Sequence, residues 1–263
     1  MKRILSFVAA CLMLASCSTL SNLGVDTGRL IQSGVYAIQG FTLSDAEVQE
    51  YVHQYITQLD AQSKVLPESS AYTKRLRKLT KTLEGVNEVP LNFKVYQENE
   101  VNAFACADGS VRVYTGIMDV MDDDELMGVI GHELGHVALS HTRKQMQNAI
   151  FTSAAREGLA STNEKVAVLT DSQLGALGES ILNAKYSRKQ ETEADDYGYN
   201  YLCEAGVNPW SLVKSFEKLQ QLEGGSSQSG PVSNLFSSHP NTQTRIDHLT
   251  QRCLQDGYER PAK

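Results

Sequence analysis

Apolar residues recur at helical spacing near the start of the folded part of the chain. Val48, Tyr51, Val52, Tyr55, Ile56 and Leu59 share one face of a 3.6-residue helix, and Ser44-Asp45-Ala46-Glu47 before them reads as a capping box. A second helix is expected from about Glu68 to Leu83, with Leu76, Leu79 and Leu83 inward and Lys74, Arg75, Arg77 and Lys78 as a solvated basic face. The pattern then changes to short β-prone runs, Asn92 to Tyr96, Val101 to Cys106 and Val111 to Tyr114, the last two joined by a turn at Asp108-Gly109. After Asp122-Asp123-Asp124, an acidic helix start, the periodicity is helical to the end, with breaks at Gly206-Val207-Asn208-Pro209 and Gly224-Gly225-Ser226-Ser227. The stretch from Phe151 to Glu179 is rich in Ala, Ser and Gly and only weakly periodic. The expected fold class is α+β, mainly helical, with a small sheet of about three strands.

The first residues read as an address. Lys2 and Arg3 precede an apolar run from Ile4 to Leu14, too short for the roughly 20 residues a membrane span needs. Leu14-Ala15-Ser16-Cys17 resembles the bacterial lipobox, in which cleavage precedes an acylated cysteine. Residues 1–16 are therefore expected to be a lipoprotein signal peptide, Cys17 the lipidated residue and 17–43 a polar tether, with a single domain over 44–263. Ser18, rather than Asp, after the cysteine favours the outer membrane in bacterial sorting, with the body in the periplasm.

Composition narrows the function classes. The chain has 263 residues, 41% hydrophobic and 21% charged, which suits a globular domain with a sizeable core. Its formal charge of -7, which becomes -9 once Lys2 and Arg3 are removed, argues against a nucleic-acid partner held by phosphate contacts. Of the 5 cysteines, Cys11 leaves with the signal peptide and Cys17 takes lipid. In an oxidising compartment one disulfide is expected among the rest; Cys203 with Cys253 is the favoured pair, both lying in late helices, and Cys106 is then a small core residue.

The chemistry lies in His132-Glu133-Leu134-Gly135-His136, an H-E-x-x-H motif inside a helical pattern. At about 100° per residue, His132 and His136 sit one turn apart on one face and reach one metal ion. Glu133 is rotated by only about 100° from His132, placing its carboxylate beside a metal-activated water without ligating the metal. A hydrolytic zinc site needs a third protein ligand. His141 is rotated by about 140° from His136 on a continuous helix and reads as a surface histidine near a helix end. Better placed is the acidic helix Gln190-Glu191-Thr192-Glu193-Ala194-Asp195-Asp196, where Glu191 and Asp195 share a face and Glu193 points elsewhere. That pair offers one ligand and one supporting carboxylate.

These motifs together resemble the gluzincin metallopeptidases that include the Ste-type CaaX proteases, HtpX, and the Oma-type and BepA proteases. The likeness runs through Val101-Asn102-Ala103-Phe104-Ala105, Val113-Tyr114-Thr115-Gly116, Val129-Ile130-Gly131 leading into H-E-x-x-H, Glu191 to Tyr197, and Ser238-His239-Pro240. It implies a zincin-like metalloprotease domain and one Zn2+ held by His132, His136 and Glu191, with Asp195 orienting a ligand histidine. Glu133 is then the general base. The late Ser238-His239-Pro240 segment, with Arg245 six residues after His239, also matches. In relatives this His either stabilises the oxyanion or sits on the metal in a resting state; from the residues alone His239 could also cap the last helix. Arg245 is then a positive partner for the acidic site or for substrate carbonyls; from the residues alone it could also be an exposed helix arginine. The resemblance further implies that the strand from Val101 to Cys106 is an edge on which substrate pairs, and that substrates are unfolded or misassembled envelope proteins. Outer-membrane assembly machinery or another envelope protease would be partners, with membrane contact through the lipid only. The rival reading is a chaperone-like assembly-factor lipoprotein whose zinc is structural or whose site is gated by His239; three protein ligands beside a free Glu favour the enzyme.

Overall fold

The computed structural model describes residues 44–157, 171–183, 185–225, 239 and 242–261. The signal peptide, Cys17, the tether, Ser238 and Pro240 lie outside the described residues. Helix α1 (Asp45–Gln62) begins as its sequence requires: Ser44 accepts from the Glu47 backbone while the Glu47 carboxylate takes the Ser44 N–H at 2.8 Å. Val48, Val52 and Ile56 are its buried positions. Helix α2 (Ala71–Thr80) is shorter than the expected Glu68 to Leu83. Ser70 is still extended, and past Thr80 the chain enters a two-stranded hairpin, β1 (Gly85–Val86) and β2 (Val89–Pro90). The hairpin turns at Asn87 and Glu88 with φ of 48° and 68°, which its composition did not advertise. The basic face of α2 is also not wholly solvated. Lys74, Arg77 and Lys78 are exposed, but Arg75 donates to Asp123 at 2.7 Å and to the carbonyls of Met118 and Met121 at 2.6 and 2.7 Å.

The expected three strands form, as β3 (Asn92–Tyr96), β4 (Ala103–Ala105) and β5 (Ser110–Tyr114). Their order is β3-β5-β4, with β3 parallel and β4 antiparallel to β5. Side chains alternate across the sheet, as the two-residue period demands. Val95, Ala103, Ala105, Val111 and Val113 enter the larger core, whereas Tyr96, Phe104 and Tyr114 join Val48, Val52 and Ile56 of α1 in a second cluster. Arg112 lies on that second face too, and is held there by Asp60 of α1 through bonds of 2.8 and 3.0 Å.

A short helix α3 (Thr115–Val120) leads to α4 (Asp123–Ala138), capped by Asp122 and Glu125. Helix α4 is buried from Leu126 to Ala138, consistent with packing on several sides. Helices α5 (His141–Glu157) and α6 (Asp171–Leu182) pack against each other; α7 (Arg188–Glu204) and α8 (Trp210–Gly225) pack against α4, and α9 (Thr242–Gln255) covers α8 and α7. The expected breaks near Gly206 and Gly224 are the ends of α7 and α8. Among the described residues, no helix is long and apolar enough to cross a membrane.

Cys106, Cys203 and Cys253 are all free thiols, so the expected Cys203 to Cys253 bond is not formed in this structure. Burial, reinforced by the nearby Cys203, pushes the Cys253 thiol up to about 11, and Tyr199 and Tyr258 stand beside the two sulfurs.

The crossing of α4 on α7 rests on missing side chains. A Cβ at Gly135 would lie 2.3 Å from the Ala194 carbonyl oxygen, and one at Gly198 would lie 2.6 Å from that of Gly131. Gly135→Ala should therefore destabilise the protein by about 3 kcal/mol, the upper end of overpacking costs, outweighing the roughly 1 kcal/mol that Ala gains over Gly in a helix. Urea midpoints check this; an unchanged midpoint would mean that the two helices can separate freely.

Candidate metal centre

Because α4 and α7 approach so closely, the H-E-x-x-H face of one meets the Glu191 and Asp195 face of the other. His132 and His136 are buried one turn apart, and their Nε2 atoms are 3.1 Å from each other. Glu191, 1% exposed, directs Oε1 to 3.5 Å from His136 Nε2 and Oε2 to 3.6 Å from His132 Nε2. His239 enters from the far side, its Nδ1 3.1 Å from His132 Nε2 and 3.0 Å from Glu191 Oε1. These four donor atoms lie within 4.8 Å of one another.

The donor set fits zinc. With Zn–N near 2.0–2.1 Å, neighbouring donors of a tetrahedral site stand about 3.3 Å apart, close to the separations here. Two imidazoles, a carboxylate and a third imidazole are also the ligand types zinc takes. Among the described residues, His239 converges with the other three groups on one point.

Supporting groups hold the donors from behind. Asp195, fully buried, accepts from His132 Nδ1 at 2.8 Å, which turns Nε2 inward. Asp195 is itself gripped by Arg245, whose Nε and Nη2 donate at 2.8 and 2.7 Å. Arg245 Nη1 is 2.6 Å from Glu191 Oε2, an ion-pair contact without hydrogen-bond alignment. The guanidinium also lies 4.1 Å from the Phe216 ring centroid, and Phe216 meets His132 edge-on. Arg245 is thus buried behind the ligands as the partner of the acidic pair rather than facing substrate.

The electrostatics follow the geometry. Burial alone would raise the Asp195 carboxyl, but the Arg245 guanidinium holds it below its ordinary value. Burial likewise opposes charge on Glu191, yet the charge of His239 and hydrogen bonds from His136 and His239 hold it well below the usual carboxylate range. Burial is the largest influence on His136 and drives it well below the usual histidine value, so its ring is a neutral potential ligand. Burial acts the same way on His239, but Glu191 beside it prevails and raises it.

Glu133 is 5% exposed and stands outside the donor set; its Oε1 is buried without a hydrogen-bond partner, 3.5 Å from His239 Nε2. A buried carboxylate oxygen without a hydrogen bond is costly, and beside a candidate metal cluster it marks Glu133 as a candidate acid or base.

Residues 71–253 match the peptidase family M48. The chain belongs to this family. The M48 chain is 44% identical over 234 residues to the metalloprotease LoiP of Escherichia coli (strain K12), covering 89% of this chain and 91% of that protein. It is 41% identical over 252 residues to the metalloprotease YcaL of the same strain, covering 95% and 96% of the two chains. To the beta-barrel assembly-enhancing protease of Escherichia coli O157:H7 it is 26% identical over 228 residues, which is 82% of this chain and 46% of that protein. As an M48 member with these relatives, the chain is a metalloendopeptidase of zincin-like, mainly helical fold.

Three neighbours of the M48 site were not foreseen. Tyr186 stacks on His136 with ring centroids 3.7 Å apart. Its only sequence cue is its place just before Ser187, the N-cap of α7. His141 is buried against His136 rather than on the surface, because α4 ends at Ala138 and Ser140, with φ of 59°, turns the chain back. Glu193 faces away from the donor cluster, as its position on α7 predicts, but reaches His141.

Proposed function

We propose that this chain is a zinc-dependent endopeptidase that cleaves unfolded or misassembled proteins of the bacterial envelope. The observation that carries the reading is the convergence of His132, His136 and Glu191 beside the buried Glu133 carboxylate, whose Oε1 has no hydrogen bond. A zinc ion held by these three residues supplies Lewis acidity towards the scissile carbonyl and the attacking water. Glu133 takes the proton from that water and passes it to the leaving amine. Asp195 and Arg245 keep His132 and Glu191 aimed inward through the bonds already described. Strand β4 ends the sheet and adjoins α4, so an extended substrate added along it would meet the site through backbone bonds with little demand on sequence. That tolerance suits unfolded chains.

The envelope location rests on the lipobox-like Leu14-Ala15-Ser16-Cys17, which would tether the enzyme to the outer membrane through acylated Cys17, facing the periplasm. A relative named for enhancing beta-barrel assembly is in keeping with outer-membrane assembly machinery as a partner. The reading is tested by metal analysis of the purified protein together with cleavage of reduced casein. One zinc per chain and chelator-sensitive cleavage restored by zinc are expected; cleavage indifferent to chelation would refute it.

A second reading, a gated enzyme, is favoured by His239 and β4. His239 Nδ1 stands 3.1 Å from His132 Nε2 as a fourth donor, the position a catalytic zinc site keeps for water, and Ala103, Phe104 and Ala105 are only 3%, 5% and 3% exposed. Both features describe a closed state that must open for substrate. His239→Ala should then raise the initial rate of casein cleavage at equal zinc content. A fall in rate would instead assign His239 to stabilising the reacting carbonyl.

A further inference from the structure

His132 has a dedicated carboxylate behind it, and the other helix ligand does not. The ring nitrogen of His136 that faces away from the cluster, Nδ1, lies 3.1 Å from His141 Nδ1. His141 is 4% exposed, and its own far nitrogen, Nε2, stands 3.5 Å from Glu193 Oε2. The three groups come from the last turn of α4, the first residue of α5 and the first half of α7.

The arrangement has one consistent distribution of protons when the inner nitrogen of His136 binds a metal. His136 Nε2 must then offer its lone pair, so Nδ1 carries the hydrogen. That hydrogen points at His141 Nδ1, which accepts only if His141 is the tautomer protonated on Nε2. The Nε2–H then lies beside the Glu193 carboxylate, 3.5 Å away, a polar contact without hydrogen-bond alignment. Every ring nitrogen in the chain has a defined role, and Tyr186 stacked on the His136 ring at 3.7 Å confines the remaining rotation.

We infer that His141 is a positioning residue that fixes the tautomer and orientation of His136, with Glu193 aligning His141 in turn. The two histidines of the H-E-x-x-H motif are thus supported by different devices: a buried Asp195 paired with Arg245 behind His132, and an imidazole leading to a half-exposed carboxylate behind His136. The second device carries no buried net charge. It also couples the ligand to Glu193, whose other oxygen lies 3.6 Å from Lys189 at the surface. This inference rests on the metalloenzyme reading above.

The test compares zinc dissociation constants, by chelator competition, for wild type, His141→Leu and His141→Asn. Asn can place its carboxamide oxygen near the position of the histidine Nδ1 and keep an acceptor for His136; Leu cannot. His141→Leu should weaken zinc binding by about 10- to 100-fold, the range for loss of a group supporting a ligand histidine, and His141→Asn should recover most of it. In the zinc-loaded wild type and the Asn variant, a downfield proton NMR signal from the His136 Nδ1–H should be present, and the Leu variant should lack it. Wild-type zinc affinity in a folded His141→Leu, or equal weakening in both variants, would overturn the role. If His141→Leu does not fold, the Asn variant decides by keeping or losing the Nδ1–H signal. A wild-type protein that takes up no zinc would instead overturn the metal reading on which the inference rests.

Discussion

Glu133→Gln is expected to lower kcat/KM for an unfolded protein by about 10²- to 10⁴-fold while leaving one zinc per chain. A thousandfold loss corresponds to about 4 kcal/mol of transition-state stabilisation. Gln has the shape of Glu but neither the charge nor the capacity to take a proton from water. Because Glu133 is not among the four converging donors, its loss leaves the metal ligands intact. The wild-type carboxylate is buried with no hydrogen bond to Oε1, so neutralising it removes a desolvation cost at the loss of only the 3.5 Å contact with His239. The same variant should accordingly unfold at the wild-type temperature or above it. Cleavage at the wild-type rate by zinc-loaded Glu133→Gln would rule out the general-base mechanism.

Arg245→Met should have the largest effect on stability. Asp195 and Glu191 are buried carboxylates, and the Arg245 guanidinium is the full positive charge that both of them touch. Removing one partner of a buried ion pair costs about 3–5 kcal/mol, because the remaining charge is left without solvent or counterion. Zinc-free protein is the right sample, since bound zinc would offset part of the Glu191 charge.

The pH dependence has a definite sign. In the wild type Arg245 depresses the Asp195 pKa, so Asp195 contributes stability above its unfolded value near 3.9 that is lost as pH falls through its folded pKa. Without Arg245, burial acts on Asp195 with its main counterweight gone and raises its pKa. The variant is then relatively better off below the unfolded value and loses stability as pH rises through the raised pKa. The gap between the two proteins should therefore widen from acid towards neutral pH. Adding Asp195→Asn to Arg245→Met should recover part of the loss, because both partners are then uncharged. Urea denaturation across pH measures all three; a cost below about 1 kcal/mol at pH 7 would mean that solvent reaches the pair.

Much of this was legible in the residues because it depends on local periodicity. The Ser44 and Glu47 capping box, the inward Val48, Val52 and Ile56, and the Asp122 start of α4 are fixed by neighbours three or four positions apart. So is the shared face of His132 and His136, and that of Glu191 and Asp195. Helix α2 ends earlier than its apolar pattern implies, because Leu83 continues that pattern while the backbone has already left the helix. The parallel pairing of β3 with β5 was not legible, since the alternation of Val and Tyr is the same for either strand direction.

Arg245 and His141 show where local reading stops. An arginine on a helix is solvated by default, and Arg245 is buried only because α9 brings it to two carboxylates on α7. The angle that directs His141 away from His136 holds for one continuous helix; a single left-handed residue, Ser140, ends that helix and reverses the outcome. Sequence by itself determined which His and carboxylate side chains share helical faces, and set Glu133 apart from the two histidines, because each follows from a repeat of 3.6 residues. Tertiary structure alone decided which faces meet and at what distance. Gly135 and Gly198 let α4 and α7 close to backbone contact, and that approach brings Glu191 to His132 and His136 as one candidate metal site, with Asp195 behind His132.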